Sequence, residues 1–331
     1  MTTKSKAIVG VVFVLFLLVI GFIFFRGPLP EVSLPAEKLG TISGFSITNT
    51  ILATWLSMAV LLVVSILATR NMQMVPKGVQ NLVEAMLEAL LNFVEGVAGE
   101  KNGRKFFPLV ATIFLFVIVS AWLALFPGFS TIGLVEGGEH AKLTFQETEV
   151  AGVPIGILPP GAQAEEEGAE AHPAEPGTIK GMLVPILRSA NTDLNTPLAI
   201  ALIAVFFVEY WGITSQGFFK YGSKFINIRQ LVRGNVVMGL VDVFVGLMEL
   251  VSEIARIISF TFRLFGNMMA GEVLLAVISF LVPWVAAIPF LGLELFVGFV
   301  QALVFGGLTL VFATMAVTSH DEHEEGHEAA H

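Results

Sequence analysis

Arg263 stands in FRLFGNMMAGE, residues 262–272, inside one of the most apolar regions of the chain. A guanidinium keeps its charge in any protein environment. An arginine at the centre of a membrane helix costs roughly 2.5–3.5 kcal/mol on insertion scales, and a charge held in such a place marks function by default. Arg263 is not isolated. Asp242, Glu249, Arg256 and Arg263 recur at steps of seven, with Glu253 three before Arg256 and Asn267 four after Arg263. Steps of seven return a side chain close to the same helical stripe, so one helix carries a polar stripe along much of its length. The next apolar segment adds Glu294 and Gln301, and Pro283 and Pro289 separate the two. A turn at 282–290 makes them an antiparallel hairpin. In that hairpin Glu272 comes level with Glu294, and Arg263 with Gln301. Two carboxyl groups facing each other in a low-dielectric site cannot both be ionised cheaply, which suits a pair that takes up and releases a proton. Arg263 and Glu272 are nine residues apart, and at about 100° per residue they lie on nearly opposite helix faces. Arg263 therefore needs a partner outside its own helix. Gln301 can hydrogen-bond to it but cannot neutralise it, whereas a carboxylate on another subunit can.

These residues need a membrane around them, and the composition supplies one. The chain has 331 residues, 55% hydrophobic and 14% charged, against about 25% charged in a soluble domain. The expected fold is an all-α integral membrane protein with about six membrane helices. The last two form a long tilted hairpin, and one amphipathic helix lies at the surface. The spans are read at 7–25, 51–69, 106–126 and 197–214, followed by two between 235 and 318. The run at 7–25 is longer than a signal-peptide core, and no small-x-small cleavage site follows it, so a retained span is expected. Thr196 and Pro197 read as an N-cap and first-turn proline. In VPKGVQNLVEAMLEALLNFVEG, Glu84, Glu88 and Glu95 share one helical face and apolar residues fill the other, which places a surface helix at 78–99.

The organisation that follows is a span and outer linker at 1–44, then two spans flanking the surface helix at 45–126. An acidic outer loop occupies 127–190, the core channel helices 191–318, and an acidic histidine-containing tail 319–331. PGAQAEEEGAEAHPAEP cannot bury a core and is expected to be a mobile, solvated loop. With six spans and an inner N-terminus, Lys4, Lys6, Arg70, Lys77, Lys101, Arg104, Lys105, Lys220, Lys224, Arg229 and Arg233 fall inside. Only Arg26, Lys38, Lys142, Lys180 and Arg188 fall outside, so positive charge places both termini in the cytoplasm. Cysteine is absent, which removes disulfides, thiolate metal sites and a cysteine nucleophile. The net charge of −9 comes from two acidic regions, at 136–175 and 321–328, and neither resembles the basic patch that nucleic acid would need. No cofactor or metal is expected. The spacing of His320, His323, His327 and His331 permits a weak metal site, but the acidic composition around them favours a solvated tail.

The residues around Arg263 carry a resemblance. RLFGNMMAGE resembles the signature of subunit a of the F-type ATP synthase, the stator subunit beside the rotating c-ring. NTDLNTPLAIALIAVFFVEYWGI is similar to that family's fourth membrane helix, LELFVGFVQALVFGGLTLVFATMA to its last helix, and the 75–96 segment to its surface helix. The similarity covers roughly residues 45–320. It implies a non-catalytic, ion-translocating subunit of a bacterial plasma membrane, with the c-ring, the subunit b stalk and lipid as partners. Arg263 would face the ring carboxylate, and Asn267, Glu272, Glu294 and Gln301 would lie on the proton path. Asp193 and Asn195 resemble polar residues near the outer entrance. Glu209, Asp242, Glu249, Glu253 and Arg256 are further lining candidates. The family varies between histidine and acidic residues at the position of Glu294. The N-terminal span and the Glu-rich loop depart from the family's common pattern. An ion-coupled secondary transporter with Arg263 binding an anion is the competing class; the sequence has no evident inverted repeat or pair of broken helices to support it. A purely structural scaffold fits poorly with charges inside the membrane.

Overall fold

Five of the helices are long and apolar enough to cross a membrane. They come from a computed structural model that describes residues 35–42, 44–126, 129, 132–136, 143–146, 149–150, 153–157, 178–225, 236–281 and 287–318. The five are α1 (Asn49–Thr69), α2 (Val79–Ala124), α3 (Asn195–Gln216), α5 (Val236–Leu281) and α6 (Ala287–Val317); α4 (Phe218–Gly222) is a single turn. The expected span at 7–25, the tail at 319–331 and the turn residues 282–286 lie outside the described residues. The chain is a mostly helical, multi-pass membrane protein.

Local chemistry sets the helix ends. The Thr48 hydroxyl accepts from the Ile51 N–H at 3.4 Å at the start of α1, as an N-cap does. Gly217, at φ 85°, stops α3, and its N–H returns to the Ile213 carbonyl at 2.8 Å. α3 begins at Asn195, with Leu194 before it and no side-chain cap. Pro197 therefore sits at the third helical residue, still in the first turn where its missing N–H costs nothing. The surface helix and third span expected separately are two segments of α2 that meet at Gly99, whose φ of 74° and ψ of 161° are not helical. Only glycine adopts such a conformation at little cost.

The chain divides into two compact units: Met1–Ala59, Ile118–Asp193 and Gly266–Val300 form the first; Val60–Val117, Leu194–Phe265 and Gln301–His331 form the second. In the first unit, β1 (Lys38–Ile42) and β2 (Phe45–Thr48) make an antiparallel hairpin leading into α1. A second, five-stranded antiparallel sheet has the order β4-β7-β3-β6-β5. Its strands are Leu143–Gln146, Thr178–Pro185, Ile132–Glu136, Val153–Ile157 and Glu149–Val150. The ends of the expected acidic loop are therefore built as sheet, and its Glu-rich centre at 158–177 lies outside the described residues. The Trp122 indole N–H donates to the Leu295 carbonyl at 3.1 Å, tying α2 to α6.

In the second unit the core gathers Val94, Phe106, Val110, Val208, Trp211 and Leu310. The Phe106 and Trp211 rings lie 4.5 Å apart. Lipid tails are as apolar as these side chains, so close packing holds the helices together here, and small residues allow it. Gly306 brings α6 against Val110 and Phe114, and Gly307 brings it against the Phe93 ring. Phe260 of α5 packs on Phe305 and Phe312 of α6, at 4.9 and 5.7 Å between centroids.

Candidate functional site

The described polar side chains of the first unit centre on the α5–α6 hairpin and the segment before α3. The Glu294 carboxylate lies directly on Gly271: a Cβ at that glycine would collide with it. Gly271 and Glu294 straddle the point between residues 282 and 283, and in the second unit so do Phe260 and Phe305. The hairpin register expected from the spacing is thus present, displaced by one residue. Glycine, not Glu272, lies under Glu294, because a helix can approach a buried carboxylate closely only where it presents no side chain. Glu294 is 9% exposed and, among the described residues, has no hydrogen-bond or ion-pair partner.

Glu272 points elsewhere on α5. Arg188, 5% exposed, donates from Nε to Glu272 Oε1 at 3.1 Å and to Oε2 at 3.3 Å. Its Nη1 donates to the Pro35 carbonyl at 3.3 Å, and its Nη2 lies 3.3 Å from the Met269 sulfur. The expected pair of facing glutamates is corrected accordingly: Glu272 is held by a cation, and Glu294 is not. Asp193 accepts from the Thr50 hydroxyl at 3.0 Å, and Asn191 donates to Ser120 at 2.8 Å. Asn49 Oδ1, Ser189 Oγ and Asn191 Oδ1 are buried without a hydrogen-bond partner among the described residues. Buried polar atoms of this kind are usually satisfied by water. Asn195 and Asn267 are exposed.

The second unit holds Arg263 and the rest of the stripe. Arg263 is half-buried, and its one hydrogen bond among the described residues donates from Nη2 to Ser259 Oγ at 3.4 Å. No carboxylate among the described residues pairs with it. Gln301 is buried on α6 in the same unit. Nearer the start of α5, Lys224 Nζ lies 2.6 Å from Glu249 Oε1 and 3.7 Å from Glu253 Oε1. Arg256 Nη1 donates to Glu253 Oε2 at 2.7 Å, and its guanidinium stacks 3.9 Å from the Phe312 ring centroid. Asp242 is half-buried on the same helix. Glu209 of α3 and Tyr221 of α4 face each other short of hydrogen-bond geometry; Glu209 Oε1 and the Tyr221 hydroxyl are both buried without a hydrogen-bond partner among the described residues. The Tyr221 ring fills the notch left by Gly212, where a Cβ would run into it. Burial, and then the Glu209 charge, push the Tyr221 hydroxyl well above its ordinary range.

The two groups have different chemical capacities. The first unit holds a buried carboxyl without a described partner and, separately, buried polar atoms of a kind that water can bridge. In the second, cations balance Glu249 and Glu253 but Arg263 is unanswered. Arg188, Lys224 and Tyr221 escaped the sequence reading. Arg188 is separated from Glu272 by 84 residues and Lys224 precedes the α5 helix it serves; nothing local in either neighbourhood announces the pairing.

Comparison with known proteins adds an independent finding. A family model described as "ATP synthase A chain" matches residues 51–314. The chain is similar to ATP synthase subunit a of Campylobacter jejuni (strain RM1221), 31% identical over 269 residues, covering 80% of this chain and 86% of that protein. The subunit a of Campylobacter fetus subsp. fetus is 30% identical over 268 residues, with 80% and 88% covered. That of Helicobacter pylori (strain Shi470) is 29% identical over 270 residues, with 81% and 89% covered.

Proposed function

Because the chain belongs to the ATP synthase A chain family, we propose that it translocates protons through two offset half-channels beside a c-ring and so couples proton flow to rotation and ATP synthesis. It is a component of a larger synthase and contributes no catalytic site of its own. Its partners in this reading are the c-ring, whose carboxylate faces Arg263, the subunit b stalk and the bilayer of a bacterial plasma membrane, with both termini cytoplasmic.

A proton enters past Asp193 and Asn195 and reaches Glu272 and Glu294, with Asn267 also on the path. It neutralises the ring carboxylate. Only the neutral form can turn into lipid, because an isolated buried ion is far too costly. After rotation the carboxyl group meets the group of the second unit, and Glu249, Glu253, Asp242 and Glu209 lead the proton out, with Arg256 balancing charge. Arg263 favours the ionised ring carboxylate, with Gln301 a further polar residue of the path; a neighbouring cation lowers a carboxyl pKa by about 1–3 units. The same charge repels protons and keeps the two paths apart. Each proton crossing releases about 2.3 kcal/mol per 100 mV.

The observation that carries this reading is Arg263 itself. It is a permanent cation on a membrane helix, and its own described chain offers it a weak hydroxyl contact but no acid. Arg263→Ala in the assembled synthase should abolish ATP-driven proton pumping. Normal pumping by that variant would overturn the proposal.

A further inference from the structure

We infer that Arg188 is a positioning residue for Glu272, and that the linker ahead of the family-matched region completes the clamp. The inference rests on the reading that Glu272 lies on the proton path. Arg188 is 5% exposed, as buried as the hydrophobic core around it. A buried arginine is stable only when its planar fork is met on several sides. Here three segments of the first unit meet it: Glu272 of α5 on Nε, Met269 one turn earlier on Nη2, and the Pro35 carbonyl on Nη1.

The geometry fixes the Glu272 carboxylate. Nε reaches both oxygens, at 3.1 and 3.3 Å, so the group cannot swing about its last torsion without losing one contact. Met269 shares a helix face with Glu272 at a spacing of three, so the guanidinium spans the same face that carries the carboxylate. Pro35 lies sixteen residues before the match to the family begins at residue 51. Next to it, Glu37 holds the start of α1: its carbonyl accepts from Asn49 N at 3.1 Å, and its Oε2 accepts from Asn49 Nδ2 at 3.4 Å. The linker is thereby tied at two neighbouring points to residues that support the polar group. A lysine at position 188 could contact Glu272, but a single ammonium on a flexible stem cannot reproduce the fork.

The experiment uses the whole synthase in inverted membrane vesicles and measures ATP-driven acidification per assembled complex, with the complex quantified by immunoblot. Arg188→Gln should lower flux about tenfold, the order expected when the group orienting a functional residue is lost. Arg188→Lys should recover part of it and remain at least about threefold below the unaltered protein. If Arg188→Gln fails to assemble, Arg188→Lys decides: flux equal to the unaltered protein refutes the clamp. So does unaltered flux in Arg188→Gln. Any of these outcomes in a synthase that Arg263→Ala still silences refutes this inference alone, whereas flux surviving Arg263→Ala removes the reading beneath it.

Discussion

Gly271→Ala is the sharpest small perturbation the structure offers. In an exposed helix interior, replacing glycine by alanine stabilises by roughly 0.5–1 kcal/mol, because the unfolded chain loses freedom. At Gly271 the added methyl would occupy the place of the Glu294 carboxylate. The nearest atoms are a flexible side chain, so the backbone can stay while the carboxylate moves. Overpacking of this kind costs about 1–3 kcal/mol, which outweighs the helix gain. At about 1.4 kcal/mol per tenfold, the population holding Glu294 in place falls about five- to a hundredfold. The helix and the complex should survive while ATP-driven acidification drops by that factor. Gly292→Ala is the control: it lies in α6, two residues from Glu294, and a Cβ there meets nothing within 4 Å. Glu294→Asp in the Gly271→Ala background, one methylene shorter, should recover part of the flux. Unaltered flux in Gly271→Ala, or an equal loss in Gly292→Ala, would refute the argument that Glu294 works from this seat.

Other outcomes follow from the second unit. Lys224→Met severs the contacts to Glu249 and Glu253; thermal unfolding of the purified chain in detergent should show a loss on the order of 1 kcal/mol, with slower proton release in vesicles. Phe106→Ala empties a fully buried site against Trp211, costing about 3–5 kcal/mol and lowering the melting temperature far more than Lys224→Met. Tyr221 is one of two tyrosines. Its raised pKa means that the folded form keeps the proton when the unfolded form gives it up, so this contribution to stability is intact below about pH 10 and is lost as pH rises beyond it. Ultraviolet titration should show late ionisation of Tyr221 coinciding with unfolding, and Tyr221→Phe should remove that late step.

How much of this was legible depends on the range of the interaction concerned. Apolar length and the step of seven from Asp242 to Arg263 are local signals, and they led to α5 and its stripe. The hairpin was legible because Pro283 and Pro289 mark a turn and a register follows from its midpoint. Its last residue was not: whether Gly271 or Glu272 lies under Glu294 depends on helix rotation, which packing decides. The break at Gly99 was hidden among Gly96, Gly99 and Gly103, any of which could have ended the helix. The strands at 132–157 and 178–185 alternate over only a few residues each, and the Glu-rich stretch between them dominated the composition. Arg188 was read as an outer-loop charge, because a contact made 84 residues away leaves no trace in its own neighbourhood.

The most direct measurement is an image of the assembled synthase at a resolution that shows side chains around Arg263. The account predicts a carboxylate from a c-ring subunit within about 4 Å of the guanidinium at some stage of rotation, the reach of an ion pair. A guanidinium neutralised by an acid of its own chain, or turned toward bulk water throughout the cycle, would contradict it.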